Sequence, residues 1–130
     1  MRTDQVAFWL HLLGAATWTG GLVVLAALVP ALRRAGADRS ILQAAARRFS
    51  VVGWAAMALA VLTGLWLMMS YEVPLALLGW KVGLVGAIVV LTAVHQLTAS
   101  RTSPALRGAV QGIILLLSIL TFAVAVVSFT

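Results

Sequence analysis

The chain has 130 residues, of which 63% are apolar and only 9% are charged, whereas soluble domains carry about a quarter charged residues. This composition indicates an integral membrane protein, and the length suggests one compact unit. The net charge of +6 comes mostly from arginines between apolar runs, which indicates membrane topology and contact with lipid headgroups, not nucleic acid. The chain contains no cysteine, which excludes disulfides, thiolate metal sites and thiol catalysis.

Four apolar runs are each long enough to cross about 30 Å of hydrocarbon, which takes roughly 20 residues. They predict helices over residues 6–32, 49–70, 75–97 and 109–129. The first run is too long for a cleaved signal and is expected to be retained. The connections are short, so successive helices are expected to be antiparallel neighbours. The prediction is an all-α fold, a four-helix up-down transmembrane bundle forming a single domain in the lipid bilayer.

Basic residues predict the orientation of this bundle. The second predicted connection carries Glu72 and no arginine. The positive-inside rule therefore places both termini outside the cytoplasm, in the plasma (inner) membrane. The arginines of the predicted first and third connections are Arg33, Arg34, Arg39, Arg47, Arg48, Arg101 and Arg107.

The segment HLLGAATWTGGLV, residues 11–23, places an imidazole and an indole inside the first span. At helical spacing, His11, Gly14, Trp18 and Gly21 fall on one stripe. Trp18 lies near mid-membrane, where an indole N–H needs a partner. The stripe is expected to face either neighbouring helices and a bound group, or the interface and water.

Small residues recur on the other helices at spacings of three and four, which lets a neighbouring backbone approach closely. This pattern predicts helix packing first. The residues are Gly53, Ala56, Ala60 and Gly64 on the second helix, Gly79, Gly83 and Gly86 on the third, and Gly108 and Gly112 on the fourth.

Ionisable side chains inside a span are costly, so His11, Lys81 and His95 are the candidate functional residues. With a rise of 1.5 Å per residue, the two histidines are roughly 20 Å apart along the membrane normal. They are therefore not expected to share a metal ion or a heme iron. Two half-sites are predicted instead. The outer one combines His11 and Lys81 with Trp18, and with Asp4 or Glu72 from the surface. The inner one combines His95 and Gln96 with arginines of the first or third connection.

Each candidate also has a simpler interpretation. Lys81 can extend to the outer headgroups, His95 can be an interfacial histidine, and His11 can hydrogen-bond a neighbouring helix. Methionines are possible copper(I) ligands, but adjacent Met68 and Met69 point to different faces and are better explained as core filler. The sequence shows no phosphate loop, nucleophile–base pair or carboxylate dyad. Hydrolytic chemistry is not expected, and a non-enzymatic protein is favoured.

Three segments carry a resemblance to a known family: HLLGAATWTGGL in the first helix, RRFSVVGWAAMALAVLTGLW across the second and LLGWKVGLV opening the third. With these segments the chain resembles the copper-resistance D (CopD-like) membrane domain. It is more distantly similar to HemJ-type protoporphyrinogen oxidases, which bind heme and have an early histidine and a later lysine. The glycines are followed here by VVLAALVPALRR, where the HemJ-type proteins have an aromatic and arginine-rich continuation.

The resemblance implies copper or heme-metal handling or transport. It makes His11, Trp18 and Lys81 candidate cofactor-binding residues, and His11 and His95 candidate metal ligands. The alternative is a non-catalytic small subunit that packs, as a homo-oligomer or within a larger membrane complex, through its glycine and alanine faces. A heme-binding enzyme that oxidises a porphyrinogen is the third hypothesis.

Overall fold

A computed structural model describes residues 2–128, which form four long helices. They are α1 (Thr3–Arg34), α2 (Arg39–Ser70), α3 (Leu75–Thr98) and α4 (Pro104–Ser128), with a short 3-10 helix, Ala99–Arg101, between the last two. All four are long and apolar enough to cross a membrane. The predicted all-α class with four apolar helices is confirmed. Phe129, the end of the predicted fourth span, lies outside the described residues.

The second helix begins at Arg39, ten residues before the predicted span. Asp38 caps it, because its carboxylate accepts hydrogen bonds from the Ile41 backbone N–H at 3.0 Å and from the Ser40 hydroxyl at 2.6 Å. The bond from Ile41 satisfies a backbone donor that a helix start leaves unpaired. The connection therefore shortens to residues 35–38, where Gly36 adopts the left-handed conformation with φ of 90°. Arg47 and Arg48, predicted in a connection, lie on a helix.

The described chain divides into two compact units, residues 1–73 and 74–130. The first unit is an antiparallel hairpin of α1 and α2, and the second is a hairpin of α3 and α4. Each hairpin buries few large side chains. In the first, Trp18 and Leu22 are 4% and 2% exposed, and in the second, Ile88 and Ile114 are 2% and 1% exposed. Most apolar side chains face outward, as expected where lipid is the solvent.

Candidate functional site

His11 lies on α1 and is directed at the backbone of α2. Its ring nitrogen Nδ1 is 2.7 Å from the carbonyl oxygen of Ala60. A carbonyl can only accept, so Nδ1 carries the proton and donates it. In a neutral imidazole the lone pair then resides on Nε2. This is the hydrogen bond to a neighbouring helix that the simpler interpretation of His11 predicts. A backbone carbonyl at one ring nitrogen is also the arrangement that orients metal-ligating histidines.

Two further residues of α2 define the surroundings of the imidazole. The Thr63 hydroxyl oxygen is 3.5 Å from Nδ1 and donates to the Leu59 carbonyl at 2.5 Å. Gly64 lies under the ring, since a Cβ added there would be 2.9 Å from Cε1 of His11. A side chain at this position would therefore displace the imidazole. Thr63 and Gly64 were part of the sequence resemblance, but their contact with His11 was not predicted.

The rest of the stripe also faces α2. A Cβ added to Gly14 would lie 2.7 Å from the Ala56 carbonyl oxygen and 2.8 Å from the Ala60 nitrogen. These are backbone atoms, so the two helices touch at this level because residue 14 has no side chain. Of the two predicted destinations for the stripe, the structure places it against the neighbouring helix.

Trp18 lies about two turns beyond His11 on α1 and is the centre of an aromatic cluster. Its ring centroid is 6.3 Å from those of both Phe49 and Trp54. Gly53 allows this packing, because a Cβ there would be 3.2 Å from the indole ring. Seven residues of helix separate Trp18 from His11 by about 10 Å. The predicted role of Trp18 in cofactor binding stays a prediction.

A polar network closes the end of the hairpin nearest His11. The Tyr71 hydroxyl donates to the Asp4 carboxylate at 2.7 Å, and Arg2 lies 3.5 Å from the same carboxylate. The hydrogen bond to Asp4 raises the pKa of the Tyr71 phenol, because the bond and the nearby negative charge disfavour the phenolate. Asp4, predicted as a possible member of the outer half-site, is thus engaged by Tyr71.

Lys81 and His95 both lie on α3, in the second hairpin. Lys81 is half-buried, and its predicted pairing with His11 stays a prediction. His95 is also half-buried and lies close enough to the Gln111 side chain and to Arg107 to interact with both. Gln111 was not predicted as a partner of His95, although both residues lie near the same end of an antiparallel pair.

Side chains that could ligate a metal ion are not clustered in the described part of the chain. Within residues 2–128, no three His, Cys, Asp or Glu side chains lie close enough together to hold a metal ion. His11 and His95 are therefore each, at most, one ligand of a site completed by something else. Comparisons with protein-family models, with curated proteins and with solved structures find no match to this chain.

Proposed function

We propose that this protein is a small membrane protein that handles heme or copper, with His11 as the protein ligand. The observation that supports the proposal is the hydrogen bond from His11 Nδ1 to the Ala60 carbonyl. That bond fixes the tautomer in which Nε2 carries the lone pair a metal requires. The imidazole ring is oriented between α1 and α2 by this bond, and Gly64 provides the space for the ring.

The number of ligands favours heme over copper. One axial histidine is enough to hold heme iron, as in globins and peroxidases. Copper sites need several donors from the protein. The described residues do not gather three His, Cys, Asp or Glu side chains, so a copper site would have to draw on methionine thioethers as well. His11 would hold the heme iron through Nε2, and the bound heme would supply redox chemistry. In the proposed topology both termini lie outside the cytoplasm, which puts His11 in the outer half of the plasma membrane.

The test is an optical spectrum with metal analysis on protein purified from cells supplied with heme precursor and copper. A Soret band that is lost in His11→Ala and shifted in Gly64→Ala is expected. Gly20→Ala is the matched control on α1, because a Cβ there would meet no atom within 4 Å. A spectrum without a Soret band, together with less than stoichiometric copper, contradicts the proposal. Equal cofactor content in His11→Ala refutes His11 as the ligand.

One observation favours the second hypothesis, a subunit of a larger membrane complex. In the first hairpin, neighbouring atoms occupy the space beside most of the glycines. In the second hairpin, a Cβ added to any glycine would meet no atom of that hairpin within 4 Å. Such glycine faces allow close approach of another helix. This function is supported if a stoichiometric membrane partner co-purifies with the protein, is lost in Gly83→Leu and is retained in His11→Ala. A stable monomer insensitive to Gly83→Leu opposes it. The open glycines are Gly79, Gly83, Gly86, Gly108 and Gly112.

A further inference from the structure

The second hairpin has a recess of about 200 Å³ where α3 turns into α4. The wall toward the helix interior is apolar and includes Leu91, Val94 and Val110. The rim toward the turn contains Arg107 and Thr102, together with the exposed side chain of Leu106. The recess thus combines an apolar wall with one basic group at its rim.

Arg107 is anchored at the rim by one end of its guanidinium. Its Nη1 donates to the Ala99 carbonyl at 2.8 Å and to the Thr102 carbonyl at 2.6 Å. A guanidinium has five N–H donors in a rigid fork, and these bonds engage only those on Nη1. Carbonyls leave the positive charge uncompensated, and residues 74–130 contain no Asp or Glu. The counter-charge for Arg107 must come from outside this hairpin.

The charge of Arg107 favours an anion and disfavours a metal ion. His95 lines the same recess and is half-buried. The permanent positive charge of the Arg107 guanidinium repels a metal cation and attracts a phosphate. Arginine is the residue best suited to phosphate, because its fork can donate two parallel hydrogen bonds.

We propose that this recess binds an anionic phospholipid, with Arg107 donating to the headgroup phosphate and an acyl chain lying against Leu91, Val94 and Val110. Basic recesses between helices near a membrane surface suit such headgroups. The apolar wall selects a lipid over a free phosphate, which would leave that wall without a partner. This site is independent of the heme or copper proposed at His11.

The test is native mass spectrometry of the detergent-purified full chain, titrated with phosphatidylglycerol or with phosphatidylcholine carrying identical acyl chains. Tighter binding of phosphatidylglycerol is expected. One basic residue near an anionic headgroup contributes about a fivefold change in affinity, so Arg107→Gln should weaken that binding at least about fivefold. Arg101→Gln is the matched control. Arg101 is an exposed arginine of the same turn, and its screened charge should change the binding by roughly twofold or less.

Arg107 also anchors the turn between α3 and α4, so Arg107→Gln could weaken binding by disturbing that turn. A second variant tests the recess without changing Arg107. Val110→Phe fills the apolar wall and keeps every charge. If an acyl chain occupies that wall, the overpacking should reduce phosphatidylglycerol binding by about fivefold or more. Unchanged binding in Val110→Phe overturns the proposal. So do equal affinities for the two lipids, equal effects of Arg101→Gln and Arg107→Gln, or competition by inorganic phosphate at the lipid's own concentration.

Discussion

Substitution of Gly14 by alanine tests the closest contact in the first hairpin. The new methyl carbon would lie 2.7 Å from the Ala56 carbonyl oxygen, whereas ordinary van der Waals contact begins at 3.4 Å. The helices must therefore separate by roughly 0.7 Å at this level, because both obstructing groups belong to the α2 backbone. The separation would also lengthen the hydrogen bond between His11 Nδ1 and Ala60, one turn away.

The expected cost follows from two opposing effects. Overpacking of a well-packed contact costs about 1–3 kcal/mol. Alanine is also the better helix former by about 1 kcal/mol, and this gain is shared by Gly20→Ala, where the added methyl meets open space. The difference between the two variants removes the propensity effect. Gly14→Ala should therefore be less stable than Gly20→Ala by about 1–3 kcal/mol.

The assay is reversible unfolding in mixed micelles, followed by far-UV circular dichroism and by tryptophan fluorescence. Both variants remove a glycine from α1, six residues apart, so they differ in the neighbour that the methyl group meets. Equal midpoints for Gly14→Ala and Gly20→Ala would refute the close packing of α1 on α2. They would also remove the structural basis for the orientation of His11.

Two further predictions concern the same hairpin. Tyr71 is the one tyrosine in the chain, so absorbance near 295 nm should show its phenol titrating above the usual pKa of about 10. The Asp4→Asn variant should return the Tyr71 pKa toward that value, because the carboxylate that raises it is gone. Since the folded pKa is the higher one, this bond stabilises the hairpin below the unfolded pKa and is lost as pH rises through the folded value; an identical titration in both proteins would contradict the Tyr71–Asp4 contact. Trp18→Ala should destabilise the hairpin by about 3–5 kcal/mol, since Trp18 is 4% exposed, while Trp9→Ala, at a site 54% exposed, should cost far less. Similar losses for the two tryptophans, measured by the same unfolding assay, would count against the aromatic cluster.

The helices could be predicted from the sequence because spans of apolar residues have a length set by the bilayer. The start of α2 could not be found in this way. The segment of residues 39–48 is rich in arginine and lies outside the apolar run, although Asp38 and Ser40 provide a helix cap just before it. A capping residue indicates where a helix begins, whereas the length of an apolar run indicates only the part that crosses the membrane. The prediction of α2 relied on the apolar run.

That misplaced start also concealed the partner of His11. A hairpin centred on residues 35–38 pairs residue 11 with residues near 62, whereas a connection running from 33 to 48 pairs it with residues near 70. Ala60, Thr63 and Gly64 are the residues found there. The small-residue stripe of α2 was identified from its spacing, but its register against α1 depends on the length of the connection.

The same register has a consequence for the bilayer itself. Gly21 of α1 is level with Phe49 of α2, since an added Cβ would be 2.7 Å from the Phe49 ring. From Gly21 toward its C-terminal end, α1 stays apolar as far as Leu32. On α2, by contrast, the residues directly before Phe49 are Arg47 and Arg48. A bilayer edge drawn at Arg48 leaves α1 with only about 24 Å of hydrophobic length from Val6 to Gly21, less than the hydrocarbon thickness of about 30 Å.

An edge drawn instead at the far end of α1 would submerge two guanidinium groups. A charged side chain costs about 2.5–3.5 kcal/mol at the centre of a span and less toward its ends, so this placement is also unfavourable. Neither choice suits both helices. The lipid around this hairpin is therefore expected to be asymmetric, thinned on the side of α2 and of ordinary thickness on the side of α1. The protein would impose a local gradient of membrane thickness on its own surroundings.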